Sequence, residues 1–371
     1  MSLSPSRTIV TNFSSTSAGN GNVQDNYDEG VWVLNSCSGS SWLGCALSNG
    51  VVTVYDQELL QPMQSYVAPH GDNQITDLAS DSFNALVTSS KNGSVCLYDV
   101  RQVAPALTFK LPKNEEALSV ALGYGGALAA VGSSKAQIHF HDMRAGGTLL
   151  GSYVDAHTDD VTQVRFQPST TTPGETTSLL ISASEDGLAC IFDTSKPSEE
   201  AALLGVLNVQ SPLRKVGFFG PAFEGVYCLT GSETLSVWHH DTAQRICDFG
   251  LSLRSDLSEL ANAQVDYLVD CFWNTSKEQL LLLAGSHAGD GAVFQVEAGK
   301  ITPLHKLQQG HRGDIRSWSH IQNGSLFATV GEDARLCEWN ETGNLSHTTK
   351  PPKGAPARRQ KNKTKGSINP Y

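Results

Sequence analysis

His311, Thr329, Asp333 and Trp339 are the residues whose types and spacing first invite a chemical reading. A carboxylate, an imidazole and a hydroxyl within one short stretch could form a nucleophilic triad. In such a triad the imidazole takes the hydroxyl proton and the carboxylate orients the imidazole. The same types recur upstream as His157, Ser182 and Asp186, and more weakly as His70, Thr88 and Asn92 ahead of Tyr98. A repeated trio with no Gly-x-Ser-x-Gly elbow points to a stabilising device rather than a nucleophile. The turn carboxylate accepts from the imidazole, the imidazole bridges to the hydroxyl, and the indole N–H of Trp339 supplies a further donor. Beside the second trio stands Phe192, which cannot donate.

Other chemistries lack their residues. His139, His141, His239 and His240 have no cysteine or carboxylate at ligand spacing. Gly123–Lys135 is glycine-rich but lacks the Gly-x-x-x-x-Gly-Lys-Ser/Thr order of a phosphate-binding loop. The cysteines at 37, 45, 96, 190, 228, 247, 271 and 337 include no Cys-x-x-Cys pair, and most lie in apolar runs. They read as small buried hydrophobes in a reducing compartment. The expectation is a protein with no cofactor, no metal, no catalytic residue and no small-molecule substrate.

The elements around the trios explain their repetition. Gly310–Asn340 holds a Gly-His pair, an alternating apolar run, an Asn323-Gly324 turn, the apolar stretch Leu326–Val330, a Glu-Asp turn and a run ending at Trp339. This order resembles the WD repeat, whose period is about 40–45 residues and which builds one blade of a β-propeller. Six earlier copies can be traced through their third-strand ends at Tyr55, Tyr98, His141, Phe192, Trp238 and Val296. With Trp339 these ends are spaced by 43, 43, 51, 46, 58 and 43 residues. One blade cannot bury its own faces, whereas seven close a ring. The predicted fold is all-β: a single seven-bladed propeller over residues 30–345, followed by a basic tail over 346–371. Blades one, three, five and six depart most from the repeat, and the 58-residue step leaves room for a short surface helix over Arg254–Ala261.

Residues 1–29 are rich in Ser, Asn and Gly, a composition that buries too little apolar area to order itself. Within it, the β-branched Arg7–Phe13 is predicted to pair into the last blade and remove two open sheet edges, with Ser14–Glu29 as a linker. The first residues have no apolar signal core, and no stretch approaches the roughly eighteen apolar residues of a membrane span.

Charge divides the chain unequally. Lys350, Lys353, Arg358, Arg359, Lys361, Lys363 and Lys365 give the tail +7 with no acid to oppose them, so a total of −11 leaves −18 on the rest. An acidic body favours protein partners with basic surfaces and argues against general nucleic-acid binding. RNA contact is expected through the tail alone, where Arg358, Arg359, Lys361, Lys363 and Lys365 also fit a nuclear-localisation run. Asp159, Asp160, Glu185, Arg312, Asp314 and Glu332 are placed on the loop face that a propeller offers to partners. A competing reading uses Asp99-Val100-Arg101 and Asp142-Met143-Arg144, which resemble the Asp-x-Arg endings of receptors docking on a cullin-type ubiquitin-ligase adaptor. Arg101 and Arg144 would then be the adaptor contacts.

His157–Phe166 (HTDDVTQVRF) with Glu185-Asp186-Gly187, Val265–Leu268 (VDYL) and Gly331–Trp339 (GEDARLCEW) together resemble the WD-repeat-containing protein 89 family. The resemblance implies a seven-bladed propeller, intracellular and nuclear rather than cytoplasmic, with no catalytic residues to carry over. The expected role is a monomeric, non-enzymatic scaffold in nuclear assemblies such as those of ribosome assembly or chromatin.

Overall fold

The computed structural model describes residues 2–11, 30–67, 69–71, 73–81, 83–112, 115–171, 176–321 and 327–340. Short β-rich segments separated by tight turns form seven antiparallel sheets, each a blade of a β-propeller. Blade one comprises Val33–Ser38, Trp42–Leu47, Val52–Asp56 and Pro62–Tyr66. Blade two comprises Ile75–Ser80, Ala85–Ser90, Ser94–Asp99 and Leu107–Lys110, and blade three Ala117–Gly123, Leu128–Ser133, Ile138–Asp142 and Thr148–Tyr153. Blade four runs through Val161–Pro168, Thr176–Ser184, Leu188–Asp193 and Leu203–Asn208. Blade five has Leu213–Phe219, Gly225–Thr230, Leu235–His239 and Gln244–Asp248; blade six has Tyr267–Asn274, Gln279–Gly285, Gly291–Glu297 and Lys300–Leu307. The last blade contributes only Ile315–Ser319, Phe327–Gly331 and Arg335–Trp339 from its own stretch of chain.

Its fourth strand is Arg7–Val10, antiparallel to Arg335–Trp339 with Arg7 opposite Glu338. The Arg7 guanidinium holds the buried Glu338 carboxylate at 2.5 Å through Nε and 2.9 Å through Nη2, and donates to the Glu58 carbonyl at 2.6 Å. The closing strand therefore lies where the sequence predicted it, while 12–29 falls outside the described residues. Ser2–Leu3 is an unforeseen addition. It pairs in parallel with the outer strand of blade six, Ser2 opposite Lys306, and buries Leu3. The N-terminal segment thus covers outer edges of two neighbouring blades, which removes exposed pairing groups from both.

The innermost strand of every blade carries a register shift at the same place. The shifts fall at Val33/Asn35, Ile75/Asp77, Ala117/Ser119, Val161/Gln163, Leu213/Lys215, Leu268/Asp270 and Ile315/Ser317. Each bulge re-aims the residue that follows it, and in each blade that residue is polar. Asn35 donates to Asp77 at 2.8 Å, Asp77 accepts from Val120 N at 3.1 Å, and Ser119 donates to the Val161 carbonyl at 3.2 Å. Gln163 accepts from Val216 N at 2.7 Å, Tyr227 donates to Asp270 at 3.1 Å, and Ser317 donates to Asn35 at 3.0 Å. Between blades six and seven the bond comes instead from the Ile315 amide to the Tyr267 hydroxyl, at 2.6 Å. The blades are therefore cross-linked around the ring by directional bonds as well as by apolar packing.

That packing rests on the ends of the third strands. Tyr55, Tyr98, Phe192 and Trp339 are fully buried there and wedge between strands of neighbouring blades. At the equivalent place in blade three, His141 stacks on Phe109 with ring centres 4.2 Å apart and donates from Nδ1–H to the Gly147 carbonyl at 2.9 Å. Leu253–Ala261 forms the predicted helix, but not as a surface ornament. Leu253, Leu257 and Ala261, one turn apart, are buried in the apolar cluster shared by blades five and six. A four-residue helix, Glu199–Ala202, was not foreseen; its Glu199 carboxylate accepts from the backbone of Val154, Asp155 and Ala156 at 2.7, 3.0 and 2.8 Å and ties blade three to blade four.

Candidate functional site

The repeated trios lie where an outer strand passes into the next blade. In blade seven, His311 Nδ1 is 3.0 Å from Asp333, its Nε2 is 2.7 Å from the Thr329 hydroxyl, and Trp339 Nε1 donates to that hydroxyl at 2.7 Å. Asp333 also accepts from the amides of Arg312 and Arg335, at 2.7 and 3.1 Å. Blade four places His157 3.1 Å from Asp186 and 2.6 Å from Ser182, and Phe192 leaves the hydroxyl without an indole. Blade two differs from the sequence reading. His70 Nε2 meets Thr88 at 2.6 Å, but Nδ1 meets the Ser94 hydroxyl at 2.5 Å, not Asn92. Asn92 holds Ser94 from behind and caps the His70 carbonyl. A serine two residues past the expected turn residue carries no distinguishing signal in a chain so rich in Ser.

Electrostatics separates the three histidines. Burial disfavours the charge on His311, yet its hydrogen bond to Asp333 and contact with Cys337 outweigh that and raise it to about 9. Burial lowers His157 despite the nearby Asp186. Burial alone pushes His70 down to about 4. All three side chains are buried and fully engaged, so none is available to a substrate.

Antiparallel blades sort their turns onto two faces. One face carries the connections entering each first strand and the second-to-third-strand turns, and it holds all six residues predicted for partner contact. Asp159, Glu185 and Arg312 are exposed, and Asp160, Asp314 and Glu332 are partly buried. Two of the acids are committed. Asp314 binds His287 Nδ1 at 3.0 Å, and Glu332 pairs with the Arg316 guanidinium. Among the described residues the blade-four acids Asp159, Asp160 and Glu185 form no ion pair, though Asp159 accepts from the Asp160 amide at 2.8 Å. Asp160 is raised by burial, by Asp159 and by Glu116, the signature of like charges crowded together. His287 and Glu116 were not anticipated, since each joins the face through a neighbouring blade.

The opposite face carries the first-to-second and third-to-fourth-strand turns. Arg101 and Arg144 project there, and each closes onto its own aspartate. Arg101 donates to Asp99 at 2.8 and 2.6 Å, and Arg144 to Asp142 at 3.2 and 3.4 Å. On this face a cavity of about 700 Å³ opens at the inner ends of blades four to seven, walled by Phe166, Phe218, Phe272 and Trp273 with Arg165 inside. The tail residues Arg358, Arg359, Lys361, Lys363 and Lys365, and the turn at 323–324, lie outside the described residues. Among the described residues no group of three or more His, Cys, Asp or Glu side chains is placed to hold a metal ion, and no helix is long and apolar enough to cross a membrane.

Ring, blade topology and hydrogen-bonded braces define a repeat propeller, and comparison with known proteins places it. The family described as "WD domain, G-beta repeat" matches residues 61–99, 147–193 and 301–340. Each match begins in the outer strand of one blade and continues through three strands of the next, so the sequence repeat is offset from the structural blade by one strand. The three matches coincide with the blades that hold a histidine brace. The chain is 25% identical over 323 residues to WD repeat-containing protein 89 homolog of Dictyostelium discoideum, covering 87% of this chain and 86% of that protein. It is 33% identical over 290 residues to WD repeat-containing protein GTS1 of Arabidopsis thaliana, covering 73% and 71%. A chain from the crystal structure of the mitotic checkpoint complex superposes with a TM-score of 0.66 at 13% identity, covering 91% of this chain and 93% of that one, a likeness of fold alone. The protein belongs to the WD-repeat family, in its WD repeat-containing protein 89 group. Propellers of this kind generally serve as scaffolds for protein interaction.

Proposed function

We propose that the chain is a non-enzymatic scaffold for intracellular, nuclear complexes and that it takes partners with basic surfaces on the loop face of blade four. The observation that carries this reading is the set of acids there that have no ion-pair partner among the described residues: Asp159 and Glu185 are exposed, and Asp160 is crowded by Asp159 and Glu116. Such a cluster on a rigid scaffold steers oppositely charged partners and strengthens the encounter at low salt. The histidine trios support the non-enzymatic part, because every member is spent on holding strands together. Replacing Asp159 and Glu185 together by Lys is expected to strip basic proteins from affinity-purified complexes while the melting temperature stays within a degree or two. Retention of the same proteins by the charge-reversed variant would rule out this face.

The tail supplies the address in this proposal, and any RNA contact. Removal of Lys350–Tyr371 should shift a tagged protein from nucleus to cytoplasm, and an unchanged distribution would dispose of that role. The ubiquitin-ligase reading draws no comparable support, since the arginines it needs are each engaged by Asp99 or Asp142.

A further inference from the structure

The cavity on the opposite face has a feature that the braces and the acidic loops leave unused. Arg165, on the innermost strand of blade four, spends one terminal nitrogen on the protein. Nη1 donates to Asp77 at 3.1 Å, to the Val164 carbonyl at 2.8 Å and to the Val120 carbonyl at 3.3 Å. Among the described residues its Nε and Nη2 have no acceptor, and 28% of the side chain remains exposed within the cavity it lines. The nearby carboxylates are, by contrast, well supplied. Asp77 accepts from Asn35, the Leu78 amide, the Val120 amide and Arg165, and Asp270 accepts from Tyr227 and the Cys271 amide. The carboxylate in the cavity lining, Glu278, is exposed and makes no bond to Arg165, so the Nε–Nη2 edge is left for an acceptor from outside.

The walls say what must accompany that acceptor. Phe166 and Phe218 are almost buried, Phe272 and Trp273 are half-buried, and His320 lies flat against Phe272 with ring centres 5.5 Å apart. A volume of about 700 Å³ lies in the range of ligand pockets, where apolar walls supply affinity and a few placed donors fix orientation. The Nε–Nη2 edge of a guanidinium presents two parallel donors that match the two oxygens of a carboxylate. To reach that edge between aromatic walls, a group must carry carboxylate and large apolar side chain on the same residue. An internal Asp or Glu does not meet this requirement. The last residue of a polypeptide does, when it is aromatic or large and aliphatic.

We infer that this cavity receives the carboxyl-terminal aromatic or large aliphatic residue of a partner polypeptide, its α-carboxylate on the Nε–Nη2 edge of Arg165 and its side chain among Phe166, Phe218, Phe272 and Trp273. The site is on the face away from the blade-four acids, so the two readings stand or fall separately. Titration calorimetry of the full chain with the hexapeptide Gly-Ser-Gly-Ser-Leu-Phe should give binding at least about ten-fold tighter for the free acid than for the carboxyl-terminal amide. Equal binding of acid and amide, or no binding of the acid at millimolar concentration, overturns the inference. N-acetylphenylalanine binding as tightly as the hexapeptide would overturn the polypeptide source. Arg165→Lys keeps a cation beside Asp77 but lacks the paired donors, and it should bring acid and amide to within about three-fold of each other. Should that variant not fold, Phe272→Ser at the half-buried wall should lower the melting temperature, keep the far-ultraviolet dichroism of the folded ring, and weaken the acid by about five-fold or more; undiminished binding refutes the assignment.

Discussion

Blades seven and four hold the same three-residue brace with nearly the same distances, yet the two differ in what stands behind the hydroxyl and in the charge of the imidazole. Behind Thr329 is the indole of Trp339; behind Ser182 is the ring of Phe192, which fills space and donates nothing. His311 is raised and carries a proton at neutral pH, so its pair with Asp333 is ionic, whereas His157 is lowered and its pair with Asp186 joins a neutral ring to a carboxylate. Blade two goes a step further and replaces the carboxylate by Ser94. The comparison teaches that, in the blades that carry a brace, the position of the imidazole is what stays constant. The charge on it is negotiable, and aromatic bulk at the third-strand end can stand in for a hydrogen bond.

Removing Asp333 should be the most damaging change. Asp333→Ala strands a protonated His311 and two backbone amides inside the blade, and is expected to cost about 3 kcal/mol in urea unfolding. Unchanged stability would contradict the brace. Next comes a contrast in pH dependence. A raised imidazole contributes stability that is complete below its ordinary value of 6.5 and is lost as pH rises through about 9, which is the case of His311. A lowered one contributes stability that is complete above 6.5 and is lost as pH falls toward about 4, which is the case of His70. His70→Gln should therefore flatten the acid limb of the stability profile, an effect on the order of 2 kcal/mol at pH 5, and His311→Gln should flatten the alkaline limb. Parallel shifts of both limbs by either variant would show that the two rings do not differ in charge. The smallest effect is expected for Asp186→Ala, about 1–2 kcal/mol, because a neutral His157 leaves no unpaired charge. A loss equal to that of Asp333→Ala would place both histidines in the same ionisation state.

Much of the ring could be read before its coordinates. The first three strands of each blade are largely apolar or alternating and are bounded by Asn-Gly, Asp-Gly or similar turns, so the seven predicted third-strand ends fall within one residue of the observed ones. At the turn closed by Gly93 the reason is steric as well: φ is +75°, and an added Cβ would sit 2.5 Å from the Glu115 carbonyl. Apart from Arg7–Val10, the fourth strands were not legible. Thr148–Tyr153 and Gln244–Asp248 lie on the outside, mostly exposed, and their residues have no buried face to impose a period on. Arg165, Asp77 and Asn35 were also opaque, since their meaning depends on strands 42 and 88 residues apart meeting across a bulge. Partner-face residues could be placed from the repeat, but which acids remain uncommitted depends on neighbours such as His287 and Arg316, which sequence spacing does not pair.

The seam where Arg7–Val10 meets Arg335–Trp339 has a consequence for how the chain is made. Arg7–Val10 leaves the ribosome more than 320 residues ahead of the strand it pairs with. At synthesis rates of about 5–20 residues per second it must wait on the order of tens of seconds, unpaired, while the intervening blades assemble. Arg7, facing a carboxylate that does not yet exist, keeps this β-prone segment charged during that interval, as an edge charge guards against unwanted strand pairing. The ion pair that finally locks the ring has thus an earlier life as a safeguard, and its formation marks the moment the newborn protein ceases to be open to its neighbours.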